Sequence, residues 1–144
     1  DVVMWNAIIA ACAQKGLHKV AIDYFEKMQE SGMNPDEATF LSVLSACSHA
    51  GQVEKGHYLM KLMATQYGLV PTLDHYSCML DLLSRAGLLN EAIDFLDSTP
   101  CETNIEGWTS LLTHCKENGN VTLGKQCFGH LFEVDRAHSI RISN

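Results

Sequence analysis

The sequence predicts an all-α chain, a right-handed α-solenoid of stacked helix–turn–helix repeats. Three observations carry that expectation. An aromatic residue recurs at Trp5, Phe40, Tyr76 and Trp108, with spacings of 35, 36 and 32. A glycine follows each one eleven residues later, at Gly16, Gly51, Gly87 and Gly119. A small residue recurs five positions further on, at Ala21, Gly56, Ala92 and Gly124. A fourth column (Cys12, Cys47, Leu83 and Cys115) keeps the same register. Independent columns that share one irregular period mark a repeat array.

The first helix of each unit runs from the aromatic to the glycine. Trp5, Ile8, Ile9 and Cys12 fall at i, i+3, i+4 and i+7, one face of a helix. Phe40, Val43, Leu44 and Cys47 repeat the pattern. So do Tyr76, Met79, Leu80 and Leu83, and then Trp108, Leu111, Leu112 and Cys115. The aromatics are therefore read as core residues rather than as platforms for base stacking. The glycine is expected to end the helix, since it reaches the left-handed cap conformation without a steric penalty.

A second amphipathic helix follows, carrying Val20, Ile22, Tyr24, Phe25 and Met28 in the first unit and Ala92, Ile93, Phe95 and Leu96 in the third. Its small residue is expected to let the two helices of a pair approach closely. Pro35 and Pro71 are expected to stop it, because the residue before proline is pushed out of helical space. One such pair cannot bury its apolar face, whereas stacked pairs can. The units are 1–36, 37–72, 73–104 and 105–138, with 139–144 left over.

Composition narrows the function. The chain has 144 residues, and 47% are hydrophobic, which fits a packed core and excludes a disordered chain. No apolar run approaches the roughly 20 residues of a membrane helix, so no membrane partner is expected. The chain starts at Asp1 and shows no signal or transit peptide, so it reads as a fragment of a longer protein. Net charge is −7, and residues 73–104 hold six acids against Arg85 alone. A protein that binds nucleic acid mainly through phosphates should be basic. Any nucleic-acid binding here must lean on contacts to bases.

Catalysis and metal binding find no support. The six cysteines include no pair at CxxC spacing, so they are read as small, reduced core residues. Zinc deaminases of nucleobases show H-x-E followed by P-C-x-x-C. None of the seven histidines is followed two residues later by glutamate. No phosphate loop, nucleophile elbow or Ser-His-Asp pattern is present. The expectation is no enzyme, no metal and no cofactor.

The segment VVMWNAIIAACAQKGLHKVAIDYFEKMQESGMNPD (residues 2–36) resembles the 35-residue pentatricopeptide repeat along its whole length. TFLSVLSACSHAGQVEKG (39–56) and HYSCMLDLLSRAGLLNEA (75–92) look like consecutive units of the plant PLS subclass, which mixes motif lengths. GWTSLLTHCKENGNVTLGK (107–125) resembles the extension (E) motif that follows the last true repeat there, and residues 139–144 resemble the start of a second. The tetratricopeptide pattern, with its early glycine and following tyrosine, is absent.

The resemblance implies sequence-specific binding of single-stranded RNA in a chloroplast or mitochondrion, one base per repeat read by two or three side chains. By that resemblance the readers are Asn6 with Asp36, Leu41 with Thr72, and Ser77 with Asn104. Asn with Asp is expected to favour uracil over cytosine, and Ser with Asn adenine. Asn6 offers a donor and an acceptor, and Asp36 can orient it. Leu41 has no hydrogen-bonding group, so its unit should discriminate poorly. Val3 and Ala38 suit the position that sandwiches a base, and charged Asp74 suits it poorly. Asn6 also reads as a plain surface polar residue, and Ser77 and Asn104 as helix caps.

Members of the subclass act in C-to-U RNA editing. The leading expectation is therefore a module that specifies editing sites. The alternative is a protein-interaction solenoid that docks a deaminase or another editing protein through residues 73–144. Exposed ends of the array could also pair two copies as a homodimer.

Overall fold

The computed structural model describes residues 1–99 and, beyond them, the helical residues 107–109, 111–113, 116–117, 121, 124–125, 128–129, 131–133 and 136. Among the described residues every regular element is a helix. The order is α1 (Val2–Gln14), α2 (His18–Glu30), α3 (Glu37–Ala50), α4 (Val53–Thr65), α5 (Leu73–Arg85) and α6 (Leu89–Asp97). The fold is the all-α, stacked-pair solenoid that the spacing predicts. The chain forms two compact units, Asp1–Ala86 and Gly87–Asn144.

In the first unit α1 packs against α2, and α3 packs against α1, α2, α4 and α5. The central face of α3 is the best buried. Phe40, Val43, Leu44 and Cys47 are all at 1% exposure or less. The Phe40 ring meets Phe25 edge-on at 5.4 Å and Tyr67 at 5.7 Å. Gln29 donates to the Tyr67 hydroxyl at 3.1 Å, and Lys55 pairs with Glu26 at 3.1 Å, so the second helices of neighbouring repeats are also joined. The equivalent face of α1 is less enclosed. Ile9 is buried, Trp5 and Cys12 are half-buried, and Val3, Met4 and Ile8 stay exposed.

The glycine column behaves as expected. Gly16, Gly51 and Gly87 have φ of 80°, 71° and 77°. At the end of α1 the Gly16 amide donates to the Ala13 carbonyl and the Leu17 amide to the Cys12 carbonyl, the paired bonds of a Schellman cap. Gly119 and Cys115 lie outside the described residues.

Two local expectations are corrected. The second helices stop before their prolines: α2 ends at Glu30 and α4 at Thr65, ahead of Pro35 and Pro71. Gly32 and Gly68, at φ of 82° and 62°, turn the chain out of the helix, and the prolines lie in the connections that follow. The small residue of the second repeat, Gly56, also has a different partner. A Cβ at Gly56 would lie 2.5 Å from Leu82 Cδ2 and 3.0 Å from Met79 Sδ, both on α5. The close approach at Gly56 is to the first helix of the next repeat rather than to its own pair.

In the second unit α6 buries Ala92, Ile93 and Leu96, and Trp108 and Leu111 are buried as their columns predict. Gly124 is half-buried.

Candidate nucleic-acid interface

The candidate readers lie near the N-terminal turns of the first helices. Each of these helices begins on a polar cap, and at α3 and α5 the cap is the last residue of the preceding motif. Asp1 caps α1, Asp36 caps α3 and Thr72 caps α5. An Asp or Thr in extended backbone places its side-chain oxygen against an amide that the helix leaves unpaired. Asp36 and Thr72 therefore have a folding role independent of any ligand.

At the first pair the cap is part of a cluster. Asp36 Oδ1 accepts from the Thr39 backbone N–H at 3.0 Å, and the Thr39 hydroxyl accepts from the Asp36 N–H at 3.0 Å, completing a capping box. Packing of α1 on α3 brings Asn6 into the same group. Asn6 Nδ2 donates to Asp36 Oδ1 at 3.0 Å, and the Thr39 hydroxyl makes a short bond to Asn6 Oδ1. An ionised carboxylate is acceptor-only, so it fixes which end of the Asn6 amide faces it. Asn6 and Asp36 are half-buried, and Thr39 is fully buried.

Burial pushes the Asp36 carboxyl up. Hydrogen bonds from the Thr39 amide, Asn6, the Thr39 hydroxyl and the Ala38 amide outweigh it and hold the group below the usual carboxylate range. The cluster is therefore anionic at neutral pH and suits a base edge better than a phosphate. Val3, one turn before Asn6 on the same helix face, is 76% exposed. Ala38, two residues past Asp36, is exposed as well. The Asn6 amide is engaged at both ends.

The second pair is built differently. Thr72 sits in a capping box with His75, whose Nδ1 accepts from the Thr72 N–H at 3.0 Å and lies 2.9 Å from its hydroxyl. Nδ1 is thus an acceptor, which leaves the ring proton on Nε2 to donate to the Glu37 carbonyl at 2.9 Å. Leu41 takes no part in this network. It lines a groove of about 470 Å³ between α1 and α3, together with Ala10, Ala13, Ser42 and Ser45. Thr39 and His75 occupy the same position, the third residue of a first helix, and sequence reasoning singled out neither. The signal was available in Asp36-x-x-Thr39, which has the spacing of a capping box.

In the third pair Ser77 is exposed on the second turn of α5, five residues past the cap, so the helix-cap reading of Ser77 is excluded. Its partner Asn104 lies outside the described residues. Asp74, the third sandwiching candidate, is exposed. Further along α5, Asp81 accepts from Ser48 at 2.9 Å and pairs with Arg85 at 3.1 Å. Among the described residues no helix is long and apolar enough to cross a membrane, and no three His, Cys, Asp or Glu side chains cluster to hold a metal.

Comparison with known proteins decides the family. A model of the PPR repeat family matches residues 1–49, and the PPR repeat model matches residues 38–66 and 74–98. The chain belongs to the PPR repeat family. A pentatricopeptide repeat-containing protein of Arabidopsis thaliana is 45% identical to this PPR chain over 139 residues, 96% of the chain and 20% of the relative. A mitochondrial and a chloroplastic member of the same species are 42% and 41% identical, and the chain covers 18% of each. The PPR chain thus spans about a fifth of the length of these relatives.

Two solved structures share its fold. One is the pentatricopeptide repeat protein PPR10 from maize in complex with an 18-nt psaJ RNA element, with a TM-score of 0.75 and 17% identity over 92% of this chain and 20% of that one. The other is the PPR domain of Arabidopsis thaliana protein-only RNase P 1 in complex with tRNA, with a TM-score of 0.70 and 19% identity over 93% of this chain and 72% of that one.

Proposed function

We propose that this chain is a sequence-specific module for single-stranded RNA, in which Asn6, oriented by Asp36, reads one base. The observation that carries the reading is the bond from Asn6 on α1 to Asp36, the cap of α3, beside exposed Val3 and Ala38. It leaves one Nδ2 proton and one Oδ1 lone pair of Asn6 for a base edge. RNA bound to relatives of the same fold supports the ligand class. In this reading the second unit contributes shape rather than discrimination, since Leu41 offers no polar atom and Thr72 is held by His75. Ser77 with Asn104 would read a further base, and the chain itself performs no catalysis.

We further infer an organellar role, the specification of C-to-U editing sites, with the PLS arrangement of repeats and an E motif over 105–138. The mitochondrial and chloroplastic relatives support the compartment. A second reading, docking of a deaminase or another editing protein through residues 73–144, is favoured by the acidic stretch 73–104. The two overlap at Ser77 and Asn104 and otherwise occupy different parts of the chain.

The test is fluorescence anisotropy with RNAs that differ only at the base opposite the first unit. Preference for uracil over guanine there is expected. Each well-made base contact is worth roughly 1–3 kcal/mol. Equal affinity for the two bases overturns the assignment of Asn6 and Asp36.

A further inference from the structure

We infer that Thr39 is a specificity-determining positioning residue of the first reader, which sets the choice between the two pyrimidines by fixing the orientation of the Asn6 amide. The inference rests on the base-reading role proposed for Asn6 and Asp36.

Thr39 is fully buried and cannot touch a base itself. Its hydroxyl accepts from the Asp36 N–H, so its single proton is left to donate. Two acceptors are in reach: Asn6 Oδ1 in a short bond, and Asp36 Oδ1 at 3.0 Å. Asp36 holds the amide by its nitrogen and Thr39 by its oxygen. An amide gripped at both ends cannot exchange its oxygen for its nitrogen.

That exchange is what separates uracil from cytosine. The Watson–Crick edge of uracil offers an N3–H donor beside the O4 acceptor, and cytosine offers an N3 acceptor beside the N4 donor. An asparagine amide in one orientation complements the first pattern, and the flipped amide complements the second. Fixing the flip therefore sets pyrimidine choice, whereas total affinity depends on the contacts made in either orientation.

The second unit provides an internal comparison. His75 stands where Thr39 stands, binds its own cap Thr72 in the same way, and then reaches the Glu37 carbonyl. Leu41, in the place of Asn6, has no amide to hold. The residue at this position thus binds the cap in both units and reaches the first-helix reader only in the first.

The experiment compares the chain with Thr39→Val, which removes the hydroxyl at nearly constant shape, and Thr39→Ser, which keeps it. Uracil and cytosine RNAs are titrated in parallel. A net hydrogen bond corresponds to about fivefold in an equilibrium constant. The uracil-to-cytosine preference is expected to drop by about that factor in T39V and to survive in T39S. The Asn6 side-chain amide signals of the RNA-free protein, followed by NMR, should shift in T39V and stay in place in T39S. An unchanged preference or an unchanged Asn6 signal in T39V overturns the inference and leaves the base-reading role standing. No preference for any base in the unsubstituted chain removes that role, and the inference with it.

Discussion

Asp36 does two things at once, and its substitutions separate them. Asparagine caps a helix about as well as aspartate, whereas alanine costs about 1 kcal/mol. Asp36→Ala should therefore lower stability by about 1 kcal/mol or slightly more in urea denaturation, since Asn6 also loses a partner, and Asp36→Asn should leave it nearly unchanged. The carboxyl adds a pH dependence. It is held low in the folded chain, so its contribution is complete above the unfolded carboxylate range near pH 3.9 and is lost as pH falls through the lower folded value. Denaturation midpoints below about pH 4 should accordingly fall less in D36N than in the parent chain. The thiols offer a second check at this scale. Burial pushes both Cys47 and Cys78 up to about 11, with Asp81 and Asp74 adding to the effect at Cys78. Only about a thousandth of either is thiolate at pH 8. Iodoacetamide should modify both slowly in the native chain and rapidly after unfolding, as read by peptide mass mapping. Rapid native labelling of Cys47 would contradict its place in the core.

Between elements, the packing of first helices on one another decides stability and, in the proposed function, reading. Gly56 tests the stability side. Alanine is the better helix former by about 1 kcal/mol, but overpacking costs about 1–3 kcal/mol, and both Leu82 and Met79 are fully buried. Gly56→Ala should lose roughly 1 kcal/mol net in urea denaturation, and a gain would mean that α4 and α5 are not in close contact there. The same packing explains what was legible in the sequence. Helix positions and their glycine ends follow from local periodicity, and α1 to α6 lie where the columns put them. Asn6 and Asp36 were named through resemblance to a repeat family, and their pairing across 30 residues depends on α1 meeting α3. The second partners of Thr39 and His75 were not legible, because a capping-box spacing shows the bond within a helix turn and not the neighbour that the hydroxyl or ring also reaches. Small residues at Ala21, Gly56 and Ala92 signal a close approach without saying to which helix. Equal apolar patterning on α1 and α3 likewise hides that Phe40 is enclosed and Ile8 is 40% exposed.

For the molecule as a whole, charge constrains the proposed mode of binding. The net charge is −7, and in the first unit Arg85 is tied to Asp81 and Lys55 to Glu26. The other lysines and arginines are outweighed by seventeen Asp and Glu, so the chain has no net cationic charge to displace counterions. Single-strand binding loses about 0.7 in log K per log salt for each phosphate neutralised. The salt slope for RNA binding should therefore be shallow, below about 2 in magnitude. A steep slope would point to a phosphate-driven mode that these bases and acids do not favour. The acidic third segment also makes protein partners of residues 73–144 testable by pull-down before and after ribonuclease, where partners that persist support docking. The central claim, that Asn6 and Asp36 together read one base, is tested most directly by changing both. Asn6→Ser with Asp36→Asn keeps a helix cap on α3 and installs the residue pair expected to favour adenine. Binding to four RNAs that differ at the single base opposite the first unit should move from uracil in the parent chain to adenine in the double variant. A preference that stays where it was, with the variant folded, would contradict the assignment.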